Sequence, residues 1–167
     1  QDNVAPETYV QTYHDLYVLL KERDPTCQVA VGGVSQPTPL RLRYLDRILE
    51  LYQARYGQPM PVDVWNVHTF ILREEKGSWG AEIPVGLDAT RGLLWEVHDH
   101  DRLDLLEAQI LRFRRWMADH GQRDKEHEGD HLGPRVGVET AIDLKTFTAP
   151  SDGAFRVVDA SGAVLLE

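Results

Sequence analysis

The segment from Val62 to Phe70, VDVWNVHTF, places polar side chains inside an apolar run. The run predicts a buried parallel strand, with Asn66 and His68 near its carboxyl end, where α/β proteins usually build their binding sites. Alternation along a strand puts these two side chains on one face, where they can hydrogen-bond the hydroxyl groups of a ligand, and puts Trp65 on the other, in the core. We therefore predict that Asn66 and His68 bind substrate. The alternative is that His68 forms only local hydrogen bonds at the end of its strand and binds no ligand.

The strand is followed by a long segment without clear periodicity, from Ile71 to His100, as is typical of a lid or a binding loop. Exposed indoles of Trp79 and Trp95 can stack on the ring of a ligand, so we predict both as substrate-binding residues; loop tryptophans also commonly fasten a loop to its domain. Glu74 and Glu82 are the candidate catalytic groups, and a solvated acidic loop is the alternative. A third carboxylate on the same loop belongs to Glu75.

Two histidine motifs raise the question of a metal. His98 and His100 would share one face of an extended segment, but no obvious third ligand accompanies them. The run from His127 to His131 satisfies the H-E-x-x-H pattern of zinc peptidases, which functions only on a helix. Glycines in and after this run oppose a helix, and Glu139 is the only nearby carboxylate, so an accidental match is the alternative. We predict neither a metal site nor a cofactor.

Three stretches carry apolar residues three and four positions apart and predict helices: Pro6 to about Arg23, about Leu40 to Tyr56, and about Asp101 to His120. Asp101 is the expected N-cap of the third helix. A strand from Gln28 to Val31, which ends in a glycine pair, separates the first two helices. This alternation of helices and strands predicts an α/β fold.

The composition changes at Gln122 to Pro134, which has almost no apolar side chains and predicts an exposed linker. We therefore expect a β/α domain over residues 1–121, a polar linker over 122–135 and a tail of strands over 136–167. Short strands are predicted at Val136–Val138, Ala141–Thr148, Ala154–Asp159 and Ala163–Leu166. The last two form a predicted β-hairpin.

Charge and length exclude several classes of protein. The net charge of −9 argues against a nucleic-acid partner or an anionic membrane surface, and no apolar run approaches the roughly 20 residues of a membrane span. The single cysteine, Cys27, has no partner for a disulfide or a cysteine-based zinc site. The first residue is Gln1 and no signal-like segment follows it, so we expect a processed chain or a fragment; the compartment is not indicated.

The run PETYVQTYHDLYVLLKERDPTCQVAVGG, followed by YLDRILELY and VDVWNVHTF, resembles the middle of the TIM-barrel glycoside hydrolases of clan A, the cellulase and β-xylosidase-like enzymes. The matching positions are Asp24-Pro25, Gly32-Gly33, and Asp63 with His68, within residues 1–121. The resemblance implies a partial TIM-barrel-like β/α domain with a short β-hairpin tail, since a complete barrel needs about 250 residues. It also implies a carbohydrate ligand and, in an intact parent, hydrolysis of β-linked glycosides.

Two departures from this family bear on activity. The family's acid/base glutamate would precede Gln1, and its nucleophile would follow the helix that ends near Gly121, where the polar linker stands. Retaining hydrolysis requires two carboxyl groups about 5 Å apart. We therefore expect a glycoside-hydrolase-like domain that lacks both groups. The alternatives are a non-catalytic carbohydrate-binding or structural fragment and a zinc peptidase that uses His127 and His131. Open sheet edges of a partial barrel would favour self-association.

Overall fold

The computed structural model describes residues 3–122 and three short strands at 137–138, 157–158 and 164–166. In chain order the elements are helix α1 (Pro6–Arg23), helix α2 (Pro39–Tyr56), strand β1 (Asn66–Val67), a 3-10 helix (Val97–Asp99), helix α3 (Leu103–Asp119), and strands β2 (Gly137–Val138), β3 (Val157–Val158) and β4 (Val164–Leu166). Strand β1 pairs in parallel with β2, and β3 pairs antiparallel with β4. None of the described helices is long and apolar enough to cross a membrane.

The expected α/β, partial TIM-barrel-like fold is wrong. The described part of the chain is mostly helical, and its strands pair only two at a time, without closing into a barrel. The predicted strand from Gln28 to Val31 is reduced to one isolated bridge between Ala30 and Val64. Within the predicted strand from Val62 to Phe70, only Asn66–Val67 is a strand.

Side chains explain why these segments stay extended without forming longer strands. The Asp63 carboxylate accepts a hydrogen bond from the Val29 backbone N–H at 2.8 Å, and the Tyr9 hydroxyl accepts one from the Gly32 N–H at 3.1 Å. Backbone groups near the core need hydrogen-bond partners, but a side chain serves as well as a neighbouring strand. The apolar pattern therefore identifies the buried positions Val62, Trp65 and Val67 correctly, misses the exposure of Phe70 and overstates the strand content.

The three predicted helices are present, and local signals explain the ends of α2. The Thr38 hydroxyl accepts from the Arg41 N–H at 3.4 Å as the N-cap, and Pro39 occupies the first turn, where no N–H partner is needed. The helix ends at Gly57, whose φ of 71° is the left-handed conformation that glycine adopts without strain.

Helix α3 differs from its prediction at the amino end. It begins at Leu103 after the N-cap position Arg102, so Asp101 is not the cap. Asp99 takes a capping role one turn earlier, because its side chain accepts from the Glu96 N–H at 2.9 Å in the 3-10 helix. Leu103, whose position fits the apolar spacing of the third predicted helix, is 76% exposed.

The core lies between α1, α2, the two extended segments and the second half of α3. Trp65 is buried there, as predicted, with its ring 5.0 Å from that of Trp116 at 84°, and its indole N–H donates to Gln122 at 3.4 Å. The other buried residues of the core include Val10, Tyr13, Val31, Val34, Tyr44, Leu45, Ile48, Tyr52, Val62, Val67, Phe113 and Met117.

Candidate functional site

Asn66 and His68 converge on Gly33. A Cβ atom built on Gly33 would lie 3.3 Å from Asn66 Nδ2 and 3.3 Å from His68 Nε2. The two nitrogens are therefore no further apart than twice this distance. The structure thus brings the two predicted substrate-binding side chains together on one face.

Backbone hydrogen bonds between two parallel segments create this arrangement. The His68 N–H donates to the Val34 carbonyl at 2.9 Å, and the Phe70 N–H donates to the Ser35 carbonyl at 3.2 Å. A bridge between Val34 and Val67 continues the pairing. Both valines are buried, so the hydrophobic core fixes the register that places Gly33 beside Asn66 and His68.

One polar atom of the Asn66 carboxamide lacks a hydrogen-bond partner among the described residues. Its Oδ1 atom is buried and has no hydrogen-bond partner within the described residues. A buried acceptor without a partner costs about 1–3 kcal/mol, so such groups call for an explanation. The Asn66 carboxamide therefore carries an acceptor that the described residues leave unpaired.

An aromatic surface adjoins the polar pair. The imidazole of His68 stacks on the ring of Phe70, with the ring centroids 5.4 Å apart and the planes at 16°, and Phe70 is 42% exposed. Sequence reasoning missed Phe70, although its position two residues after His68 was the available signal. We call Gly33, Asn66, His68 and Phe70 the Asn66–His68 site.

Tyr9 of helix α1 contacts the glycine pair next to the site. Its hydroxyl accepts from the backbone N–H of Gly32, the residue before Gly33. Burial raises the pKa of the Tyr9 hydroxyl to about 12, so the group is protonated and uncharged at neutral pH. Helix α1 thereby holds the glycine pair in place.

Glu74, a predicted catalytic candidate, is fully buried in an ion pair with Arg41, which is 2% exposed. The same carboxylate oxygen, Oε1, accepts from the Thr38 hydroxyl at 2.6 Å. The other oxygen, Oε2, accepts from the Leu93 N–H at 2.9 Å. Oε1 therefore fastens the long loop to the start of α2, and Oε2 joins two parts of the loop itself.

Glu82, the other predicted catalytic candidate, lies exposed on the same loop. Its carboxylate accepts from the Gly77 N–H at 3.0 Å, and its backbone carbonyl accepts from Arg41 at 2.7 Å. Glu75 pairs with Arg73 at 2.8 Å. These contacts belong to the loop and to α2, and neither group is placed by them at the Asn66–His68 site.

The loop tryptophans have different surroundings. Trp79 is 40% exposed, and its ring centroid lies 5.8 Å from that of His100. Trp95 is partly buried. The ring of Trp79 therefore contacts His100, and a shared surface of Trp79 with the Asn66–His68 site stays a prediction.

His98 and His100 do not belong to a metal site formed by the described residues. Within the described residues, no group of three or more histidine, cysteine, aspartate or glutamate side chains is arranged to hold a metal ion, and this includes His98 and His100. The pattern from His127 to His131 and the carboxylate of Glu139 lie outside the described residues.

Comparison of the chain with protein-family models, with curated proteins and with solved structures found no match.

Proposed function

We propose that this chain is a carbohydrate-binding domain of the glycoside-hydrolase kind and that its sugar lies on the Asn66–His68 site. The observation that carries the proposal is the convergence of Asn66 and His68 on Gly33, beside the exposed ring of Phe70. The resemblance of the sequence to clan A glycoside hydrolases supports the same class of ligand.

The chemistry of the site suits a sugar. A pyranose ring offers hydroxyl groups around its edge and C–H groups on its faces. The amide of Asn66 and the imidazole of His68 can each donate to or accept from a hydroxyl group, and the ring of Phe70 provides an apolar surface for a sugar face. A neutral ligand also suits a chain with a net charge of −9, because it is not repelled.

We propose that this chain binds the sugar. Hydrolysis would need a glycosidase in which two carboxyl groups flank the site. Hydrolysis with retention requires such a pair about 5 Å apart. The Glu74 carboxylate is held in the buried ion pair with Arg41 and is not available for this role. A non-catalytic carbohydrate-binding domain is therefore the form of the proposal that these contacts favour.

Calorimetric titration with cellotetraose and xylotetraose tests the proposal. We expect His68→Ala and Asn66→Ala each to weaken binding by about 1 kcal/mol, or roughly five-fold, because each removes one polar contact. The matched control is His98→Ala, since the His98 side chain is 81% exposed and lies outside the site. It should bind like the parent chain.

Two further variants locate the surface. A loss of affinity in Trp79→Ala would extend the site onto the loop. If binding is lost only in the double variant His127→Ala/His131→Ala, the ligand uses the polar segment and the proposal is wrong. Absence of binding of both sugars to the parent chain would also overturn it.

A further inference from the structure

Asn66 and His68 converge on the space beside Gly33. The backbone conformation of Gly33 does not require a glycine. Among the glycines that the structure describes, those with positive φ are Gly57, Gly77, Gly80, Gly86 and Gly121. Gly33 is not one of them, so other residues can adopt its backbone conformation. The restriction at this position therefore comes from the surrounding space.

That space is limited by the two polar side chains themselves. A Cβ atom on Gly33 would lie 3.2 Å from His68 Cδ2, in addition to its 3.3 Å contacts with His68 Nε2 and Asn66 Nδ2. These distances are shorter than ordinary van der Waals contacts between non-bonded heavy atoms. A methyl group there would push both side chains away or occupy the gap between them.

From this geometry we infer that Gly33 determines the specificity of the site, by admitting the edge of a sugar ring that presents two neighbouring hydroxyl groups. The inference rests on the proposed function. Asn66 Nδ2 and His68 Nε2 both lie within 3.3 Å of one point, so they can address two hydroxyl groups on adjacent ring carbons. A ligand with a single hydroxyl group, or with one of the pair substituted, would leave one of these polar groups unpaired.

The first test compares Gly33→Ala with Gly57→Ala. Gly33→Ala should unfold at the same denaturant concentration as the parent chain and bind cellotetraose and xylotetraose at least about five-fold more weakly, because the added methyl group acts on the side chains of the site. Gly57→Ala should do the opposite. Nothing lies within 4 Å of its Cβ position and its φ is +71°, so it should lose stability and keep its affinity.

The second test uses the ligand and does not depend on the folding of a variant. Methyl β-D-glucopyranoside and methyl β-D-xylopyranoside are titrated against the parent chain by NMR, each beside its 3-deoxy analogue. The 3-hydroxyl belongs to both neighbouring pairs on these rings, so its removal should weaken binding about as much as His68→Ala does.

The outcomes separate the two proposals. Gly33→Ala with the affinity of the parent chain, or 3-deoxy analogues that bind as well as the intact sugars, would overturn the role of Gly33 and leave sugar binding standing. If the parent chain binds none of these sugars, the proposed function is wrong, and so is the specificity role of Gly33.

Discussion

Replacement of Glu74 by glutamine should destabilise the fold by about 3–5 kcal/mol, because it leaves the buried guanidinium charge of Arg41 without the carboxylate that compensates it. The new amide also faces the Leu93 N–H with a second donor if its oxygen keeps the contact with Thr38. The side chain at position 74 has little room to rearrange, because Glu74 Oε2 lies so close to Gly92 that even a Cβ atom there would clash with it. The total stability of such a domain is about 5–15 kcal/mol, so the loss is a large share of it.

Urea unfolding, monitored by circular dichroism, measures the loss of stability caused by Glu74→Gln. Glu82→Gln is the matched control: the Glu82 side chain is exposed on the same loop and accepts only from the Gly77 N–H among its recorded side-chain contacts, so the change should stay within about 0.5 kcal/mol. A double variant, Arg41→Met/Glu74→Leu, should be more stable than Glu74→Gln, because it removes both charges. If Glu74→Gln is as stable as Glu82→Gln, the buried ion pair does not hold the loop and the reasoning fails.

Three further outcomes are expected. The isolated chain should not hydrolyse aryl β-glycosides above background, and turnover that disappears in Glu82→Gln would contradict this. The stability difference between the parent chain and Tyr9→Phe should shrink as the pH rises from about 10 to about 12, and urea titrations at several pH values would measure it. The Tyr9 hydroxyl titrates near pH 10 in the unfolded chain, whereas its pKa in the folded chain is raised to about 12. The contribution of Tyr9 to stability is therefore complete below pH 10 and is lost as the pH rises through this window. The purified chain should contain no stoichiometric zinc by elemental analysis, and zinc that is lost in His127→Ala/His131→Ala would instead support the peptidase pattern.

The helices were predictable because their signals are local. The apolar spacing and the first-turn proline of α1 lie within the helix itself, and Gly57 marks the end of α2. Helix α3 was less predictable at its start. Its N-cap position, Arg102, makes no side-chain cap hydrogen bond, the capping box at Glu96 and Asp99 belongs to the preceding 3-10 helix, and Leu103 is exposed although it continues the apolar pattern. Spacing alone does not reveal how far along a helix the packing extends.

The strands and part of the site depended on contacts between distant positions. The segment around Val64 has the composition of a buried strand, but the side chain of Asp63 takes the hydrogen bond of Val29 that a ladder would otherwise supply. For the same reason the sequence predicted that Asn66 and His68 share a face and did not predict that both converge on the space beside Gly33. The fate of Glu74 was equally hidden, because its partner Arg41 lies 33 positions away along the chain.

The two indoles in the core give the protein an internal optical probe. Trp65 precedes β1 and Trp116 lies on α3, and their rings are close and nearly perpendicular, with centroids 5.0 Å apart at 84°. Rings at this separation couple their electronic transitions, so the pair should give a near-ultraviolet circular dichroism signal that exists only while α3 is packed against the β1 segment. Trp79 is exposed and accessible to a collisional quencher. Docking of the helix and movement of the loop can therefore be followed separately in one unlabelled sample.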